Sequence, residues 1–293
     1  MGYSSYSVDN RTLNATSFGY STKSVSQIFT QNVERKIHND MDPNGVLFRE
    51  SRDSDTHPNT IPIQLYLDVT GSMGHIPHEM IKDGLPTLMG TLLQNGINDA
   101  SLMFGAIGDH EADRYPLQVG QFESGDAELD MWLTRSYLEG GGGGNNGESY
   151  LLAWYFAANH VRTDASEKRG KKGFVFTIGD EPCLNNLPAT AIKSIMGKTA
   201  VGQGNYAIDE LLVAAQKNNH VYHIHVNHGS RYCDARWKQL LGANLIEVDD
   251  YKIISKVISD IILSENLVSG VTPLVKVKKE EERGVLVEQE VIL

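Results

Sequence analysis

Three stretches of this 293-residue chain concentrate side-chain oxygens in a pattern that suits a hard cation. One is Asp68-Val69-Thr70-Gly71-Ser72-Met73, and another is Thr177-Ile178-Gly179-Asp180-Glu181-Pro182. Between them in sequence runs Gly140-Gly141-Gly142-Gly143-Gly144-Asn145-Asn146-Gly147-Glu148-Ser149. Mg²⁺ requires near-octahedral oxygen coordination and keeps several of its waters. Thr70 and Ser72, at alternate positions of an extended loop, can turn both hydroxyls to one side. Asp68 and Asp180 can add negative charge, directly or through water. The glycine run lets backbone pass close to such a site without Cβ clashes. A single aspartate after a strand is more often a turn or capping residue. Two of them, joined to Thr-Gly-Ser and a polyglycine loop, favour a metal. Few direct carboxylates would leave the ion electrophilic, ready to accept a carboxylate from another protein as its last ligand.

Other groups bear on the same region. His75 and His78 follow the first stretch, and Asp109 and His110 follow a later apolar run. They are candidates for the rim or for hydrogen bonds to ligands, as is Glu181. The alternative for these side chains is capping and solvation. His220, His223, His225 and His228 straddle one predicted strand, with Cys233 nearby. His223 and His225 share a face at period two and could chelate a transition metal, although histidines satisfied within the core are the simpler reading. Lys168-Arg169-Gly170-Lys171-Lys172 is the strongest basic run and reads as a solvated turn. Trp132, Trp154 and Trp237 read as core.

Positioning these residues requires particular elements. Residues 61–67 are a nearly continuous apolar run that predicts a buried strand ending at Asp68. A helical stretch follows over 77–94, with Pro77 suited to its first turn and Pro86 expected to bend or break it. Residues 101–107 predict a second strand and 115–122 a third, and the short polar link between them suggests an antiparallel hairpin at the sheet edge. Helices are predicted over 127–138 and 148–160. Residues 173–178 predict a central strand leading to Asp180. Helices over 190–196 and 206–217, a strand over 221–226, a helix over 235–241, a strand over 245–248 and a closing amphipathic helix over 251–263 complete the pattern. Strands alternating with helices imply an α/β fold: a doubly wound, mostly parallel Rossmann-like sheet with one antiparallel edge strand and helices on both faces. In such sheets ligands sit beyond the carboxyl ends of the strands, near a topological switch point. That location suits Asp68 and Asp180, and it puts the basic run at the opposite end.

Residues 1–60 read as a polar extension with one helix around 24–37, 61–266 as the domain, and 267–293 as a tail whose two Val-rich pieces suit a β-hairpin. The formal net charge of −11 argues against a general nucleic-acid binder. Two cysteines do not make a disulfide scaffold and point to a reducing, cytoplasmic setting. No apolar run approaches the roughly 20 residues that span a bilayer, and the first thirty residues lack a signal-like apolar stretch. The expectation is therefore a chain with no membrane role.

The string Asp68-Val69-Thr70-Gly71-Ser72 after a buried strand resembles the MIDAS signature Asp-x-Ser/Thr-x-Ser of von Willebrand factor A (vWA) domains, in a bacterial or phage-like intracellular branch. The resemblance covers about residues 61–265. It implies that Thr70 and Ser72 are direct ligands, that Asp68 acts at or just behind the ion, and that Asp180 is the aspartate of the later loop. Members usually place a threonine in the middle loop, where this chain offers Asn145, with Glu148 as second choice. The resemblance further implies Mg²⁺, with Mn²⁺ or Ca²⁺ as substitutes, and a protein partner presenting Asp or Glu, such as a component of an AAA+ ATPase system. On this reading the chain is a metal-dependent interaction module rather than an enzyme. Two alternatives are a metal-assisted phosphohydrolase using Asp68 and Asp180, and a structural subunit of a larger assembly. Against the hydrolase, Thr70 stands where a haloacid-dehalogenase-like phosphatase has its second aspartate, and there is no P-loop or Gly-x-Ser-x-Gly elbow.

Overall fold

The computed structural model describes residues 4–140, 145, 147–202, 204–227 and 233–266. The 267–293 tail and His228 lie outside the described residues. Six strands form the central sheet: β1 (Ile61–Asp68), β2 (Ala100–Ile107), β3 (Leu117–Val119), β4 (Gly173–Gly179), β5 (Asn219–Val226) and β6 (Leu245–Val248). Their spatial order is β6-β5-β4-β1-β2-β3. All neighbours are parallel except β2 and β3, which pair antiparallel with Ile107 opposite Leu117. This is the doubly wound, mostly parallel architecture with one antiparallel edge strand expected from the sequence. The chain order reverses direction between β1 and β4, so the topological switch point lies between the strands that end at Asp68 and lead to Asp180.

Helices cover both faces because alternate residues of each strand point to opposite sides. Leu65 and Leu67 join a core with α2 (Leu85–Gln94), α3 (Asp126–Thr134) and α8 (Ile254–Glu265). Tyr66 joins the other core with α4 (Leu151–Asn159), α5 (Ala189–Met196), α6 (Ile208–Gln216) and α7 (Ala235–Leu241). Trp132, Trp154 and Trp237 are all buried, as expected.

Several boundaries differ from the sequence pattern, each for a physical reason. The predicted 77–94 helix is divided. A turn at Ile76–Glu79 and a π-helical turn at Met80–Gly84 precede α2, and Pro86 sits at the start of α2. There its missing N–H is tolerated, and the wide turn relieves the clash a proline causes inside a regular helix. The predicted 148–160 helix begins only at Leu151, because Glu148 is held in a bridge to Cys183. The predicted 127–138 helix ends at Thr134. Around 24–37 there are two one-turn helices, Val25–Ile28 and Gln31–Glu34, in place of one.

The amino-terminal segment has a helix, α1 (Val8–Phe18), that the apolar pattern does not reveal. Its one buried residue is Arg11, 1% exposed, which salt-bridges Asp130 of α3 at 2.8 Å and donates to the Ile81 carbonyl. The segment continues through Tyr6, Tyr20, Ile28, Phe29, Ile37 and Met41, all within the α2–α3–α8 core. Arg49–Ser51 then pairs parallel with Val161–Thr163. At the amino end of the sheet, Arg169 ties this segment down through Asp53 and through the Thr60 carbonyl at 2.7 Å. Part of the basic run thus serves as an anchor, while Lys171 and Lys172 are exposed.

Burial pushes the Asp130 carboxyl up to about 6 despite Arg11 beside it, so removal of the guanidinium leaves a poorly solvated acid. Arg11→Ala is therefore expected to lower unfolding stability by roughly 3–5 kcal/mol in urea titrations. Arg11→Met with Asp130→Leu should recover most of that loss. An Arg11→Ala protein as stable as wild type would show that α1 is only an appendage.

Candidate metal centre

β1 delivers Asp68 to the carboxyl edge fully buried. Its Oδ1 accepts hydrogen bonds from the Thr70 N–H at 2.9 Å and the Thr70 hydroxyl at 2.6 Å. The Ser72 hydroxyl lies 3.4 Å from that of Thr70 and donates to Asp180 Oδ1 at 2.8 Å. The first and third oxygen-rich stretches, 108 residues apart at this contact, therefore form one hydrogen-bonded group. Each hydroxyl spends its proton on a carboxylate, which leaves oxygen lone pairs available to a cation.

The middle stretch is stitched into the same edge. The Gly140 N–H donates to the Val69 carbonyl at 3.4 Å, and Gly140 has φ 63°, a conformation that glycine adopts readily. Glu148 donates its N–H to the Pro182 carbonyl at 2.8 Å and accepts from the Leu184 N–H at 3.0 Å. The Ser149 N–H donates to the Gly108 carbonyl at 3.2 Å. Glu148 and Ser149 thus lock the middle loop to both the Asp180 loop and the β2–β3 link.

Of the two middle-loop candidates, the structure turns Glu148 inward. Glu148 is buried, and its Oε2 has no hydrogen-bond partner. Burial, followed by repulsion from Asp68, Asp113, Asp109 and Glu181, pushes its carboxyl up to about 10. Asn145 instead donates its amide to Glu111 at 2.9 Å. Asp109 is fully buried; one carboxylate oxygen accepts from the Glu111 N–H at 2.9 Å and the other has no partner. His110 is tied to Ser149, whose hydroxyl lies 2.7 Å from His110 Nδ1. His75 is exposed and packs edge-on against Tyr251, 4.9 Å between ring centres. His78 lies 3.7 Å from Glu79. The Glu181 carbonyl accepts from Trp237 Nε1 at 3.1 Å.

Burial raises the Asp68 carboxyl to about 6, with Asp180 adding to the rise and the bonds from Thr70 and Tyr150 opposing it. Among the described residues, no Lys or Arg forms an ion pair with Asp68, Asp109 or Glu148. The donor set is hydroxyl and carboxyl oxygen, and the buried Glu148 Oε2 lacks a hydrogen-bond partner. These residues fit a hard divalent cation.

Sequence reasoning missed Tyr150. Its hydroxyl donates to Asp68 Oδ2 at 2.7 Å from a fully buried position. A signal was present in Gly179: glycine near a strand end often marks a close approach. Among the described residues, the histidine cluster does not form a comparable centre. The His223 ring stacks on Trp237 at 3.7 Å, its Nδ1 lies 2.9 Å from the Thr177 hydroxyl, and burial pulls its pKa down. His225 is buried beside it with no hydrogen-bond partner on either ring nitrogen. No group of three His, Cys, Asp or Glu side chains among the described residues is placed to hold a metal.

No protein-family model matches the chain, and no curated protein matches it. Solved structures similar to part of it include the pilus adhesin SpaC from Lactobacillus rhamnosus GG, in its open conformation. That match has 9% identity and TM-score 0.47, over 73% of this chain and 31% of the adhesin. Proximal thread matrix protein 1 from the mussel byssus matches with 10% identity and TM-score 0.47, over 73% of this chain and 49% of its own. A second structure of that matrix protein, with a zinc-occupied MIDAS motif, matches with 13% identity and TM-score 0.43. The chain spans between about a third and a half of the length of these structures.

The carboxyl shifts give a pH signature for the metal-free protein. Unfolded Glu and Asp lose their protons near pH 4, whereas folded Asp68 keeps its proton to about 6 and folded Glu148 to about 10. Each contributes stability that is fully present below pH 4 and lost as pH rises through the folded value. In EDTA, Glu148→Gln is expected to melt several degrees above wild type at pH 8, with the gap closing toward pH 4.5. Equal melting temperatures across that range would show that the Glu148 carboxyl is not confined as described.

Proposed function

We propose that this edge is a MIDAS-type site that binds one divalent cation, Mg²⁺ by preference, and uses it to capture an acidic side chain of a protein partner. The observation that carries the reading is the joining of Thr70, Ser72, Asp68 and Asp180 into one hydrogen-bonded group at the switch point, with a partnerless, buried Glu148 oxygen beside it. Thr70, Ser72, Asp180 and Glu148 are the residues that would hold the ion, with Asp68 braced behind them. Glu148 thereby takes the middle-loop place first assigned to Asn145. When bound, the cation supplies an electrophilic centre for an incoming carboxylate. The residues themselves orient the donor oxygens, keep bulk water from the buried acids and fix the spacing of the loops.

Binding is preferred to hydrolysis because Asp68 is fully buried with both oxygens accepting hydrogen bonds, so it is badly placed as a nucleophile. A cytoplasmic interaction module, with a component of an AAA+ ATPase system as one candidate partner, is part of the proposal. Both cysteines are free thiols, which suits a reducing compartment. No helix among the described residues is long and apolar enough to cross a membrane.

Calorimetric titration of MgCl₂ into the protein should show one site, weakened at least tenfold by Ser72→Ala and by Thr70→Ala. Acetate, the smallest carboxylate probe, should then shift the amide resonances of the Asp68–Ser72 and Asp180 loops in Mg²⁺ but not in EDTA. Unchanged ion affinity in both variants, or turnover of a simple phosphate ester, would overturn the reading.

A further inference from the structure

We propose that Tyr150 is a positioning residue that sets the ion preference of the centre, by holding Asp68 so that its carboxylate cannot close on the cation with both oxygens. This rests on the reading of the site given above.

The geometry is specific. Asp68 Oδ2 accepts from the Tyr150 hydroxyl at 2.7 Å, while Oδ1 accepts from Thr70 at 2.6 and 2.9 Å. Both oxygens are thus engaged from different directions. Tyr150 begins the turn into α4, immediately after Glu148 and Ser149, so the loop that brings Glu148 inward also aims the hydroxyl. Its ring is fixed edge-on by His223 at 4.9 Å and by Trp237 at 5.5 Å. Trp237 in turn donates to the Glu181 carbonyl, which ties the same aromatic group to the Asp180 loop.

The space for the hydroxyl exists because residue 179 is glycine. A Cβ at Gly179 would lie 1.8 Å from the Tyr150 oxygen, an impossible contact. Gly179 has no positive φ, so backbone conformation does not require glycine there. The close approach of Tyr150 does.

The consequence is ion selectivity. Ca²⁺ takes six to eight oxygens and readily accepts a carboxylate through both atoms, whereas Mg²⁺ holds to six and keeps its waters. A carboxylate with both oxygens engaged by donors favours the second pattern. Removing the tyrosine hydroxyl frees Oδ2 and lets Asp68 add to the shell of the larger ion.

The test is parallel calorimetric titration of MgCl₂ and CaCl₂ into wild type and Tyr150→Phe, which keeps the ring against His223 and Trp237. The Ca²⁺-to-Mg²⁺ affinity ratio is expected to rise about tenfold in Tyr150→Phe. In an Asp68→Asn background the same change should leave the ratio unmoved. General loosening would weaken both ions together, so an unchanged ratio overturns the inference while leaving the site reading intact. Wild type binding neither ion overturns the site reading itself. Gly179→Ala, whose Cβ displaces the same hydroxyl, must move the ratio in the same direction, and a fall in the ratio overturns the inference.

Discussion

The structure depends on carboxyl groups gathered where the sheet changes direction. Parallel strands β1 and β4 deliver Asp68 and Asp180 to the same edge, and the middle loop adds Glu148 close to Asp68. Asp68 and Glu148 are buried deeply enough to resist ionisation, and among the described residues neither has a Lys or Arg ion-pair partner. A protein built only for stability would replace such acids with apolar residues, because a buried polar group without a full set of partners costs free energy. Two hydroxyls link Asp68 to Asp180, and a cation would explain why the acids are kept together.

Burial keeps this arrangement specific. A solvated cluster of acids would relax outward and bind ions loosely. Here the Glu148 backbone is clamped by Pro182 and Leu184, Ser149 by Gly108, and Asp68 by Thr70 and Tyr150. Main-chain bonds to neighbouring loops thus place Glu148 and Ser149, and fixed hydroxyl and amide donors hold Asp68. Stability given up at the edge is offset by two continuous apolar cores, one on each face of the sheet.

Much of this was legible in the residues alone. The apolar runs at 61–67 and 173–178 announced parallel strands, and the structure joins Asp68, Thr70, Ser72 and Asp180, which stood out at their oxygen-rich ends. Three things were not legible. α1 buries an arginine instead of an apolar stripe, so hydrophobic spacing cannot reveal it. Glu148 is held in a bridge to Cys183, 35 positions away, while Asn145 bonds Glu111, and local composition carries no trace of either. Tyr150 reaches Asp68 across 82 positions, and only the fold brings them together.

The contrast between the two metal-capable groups shows why residue type alone is a poor guide. His223 and His225 look like better ligands than Thr70 and Ser72, since imidazole binds transition metals strongly. Yet His223 spends its ring face on Trp237 and one nitrogen on Thr177. Its position braces the aromatic group that fixes Tyr150, and through it Asp68. The hydroxyls are individually weak donors, but they stand at the switch point bonded to Asp68 and Asp180. Placement, more than intrinsic affinity, separates the two groups: the oxygens meet at the strand ends, while His223 packs against the ring whose hydroxyl bonds Asp68.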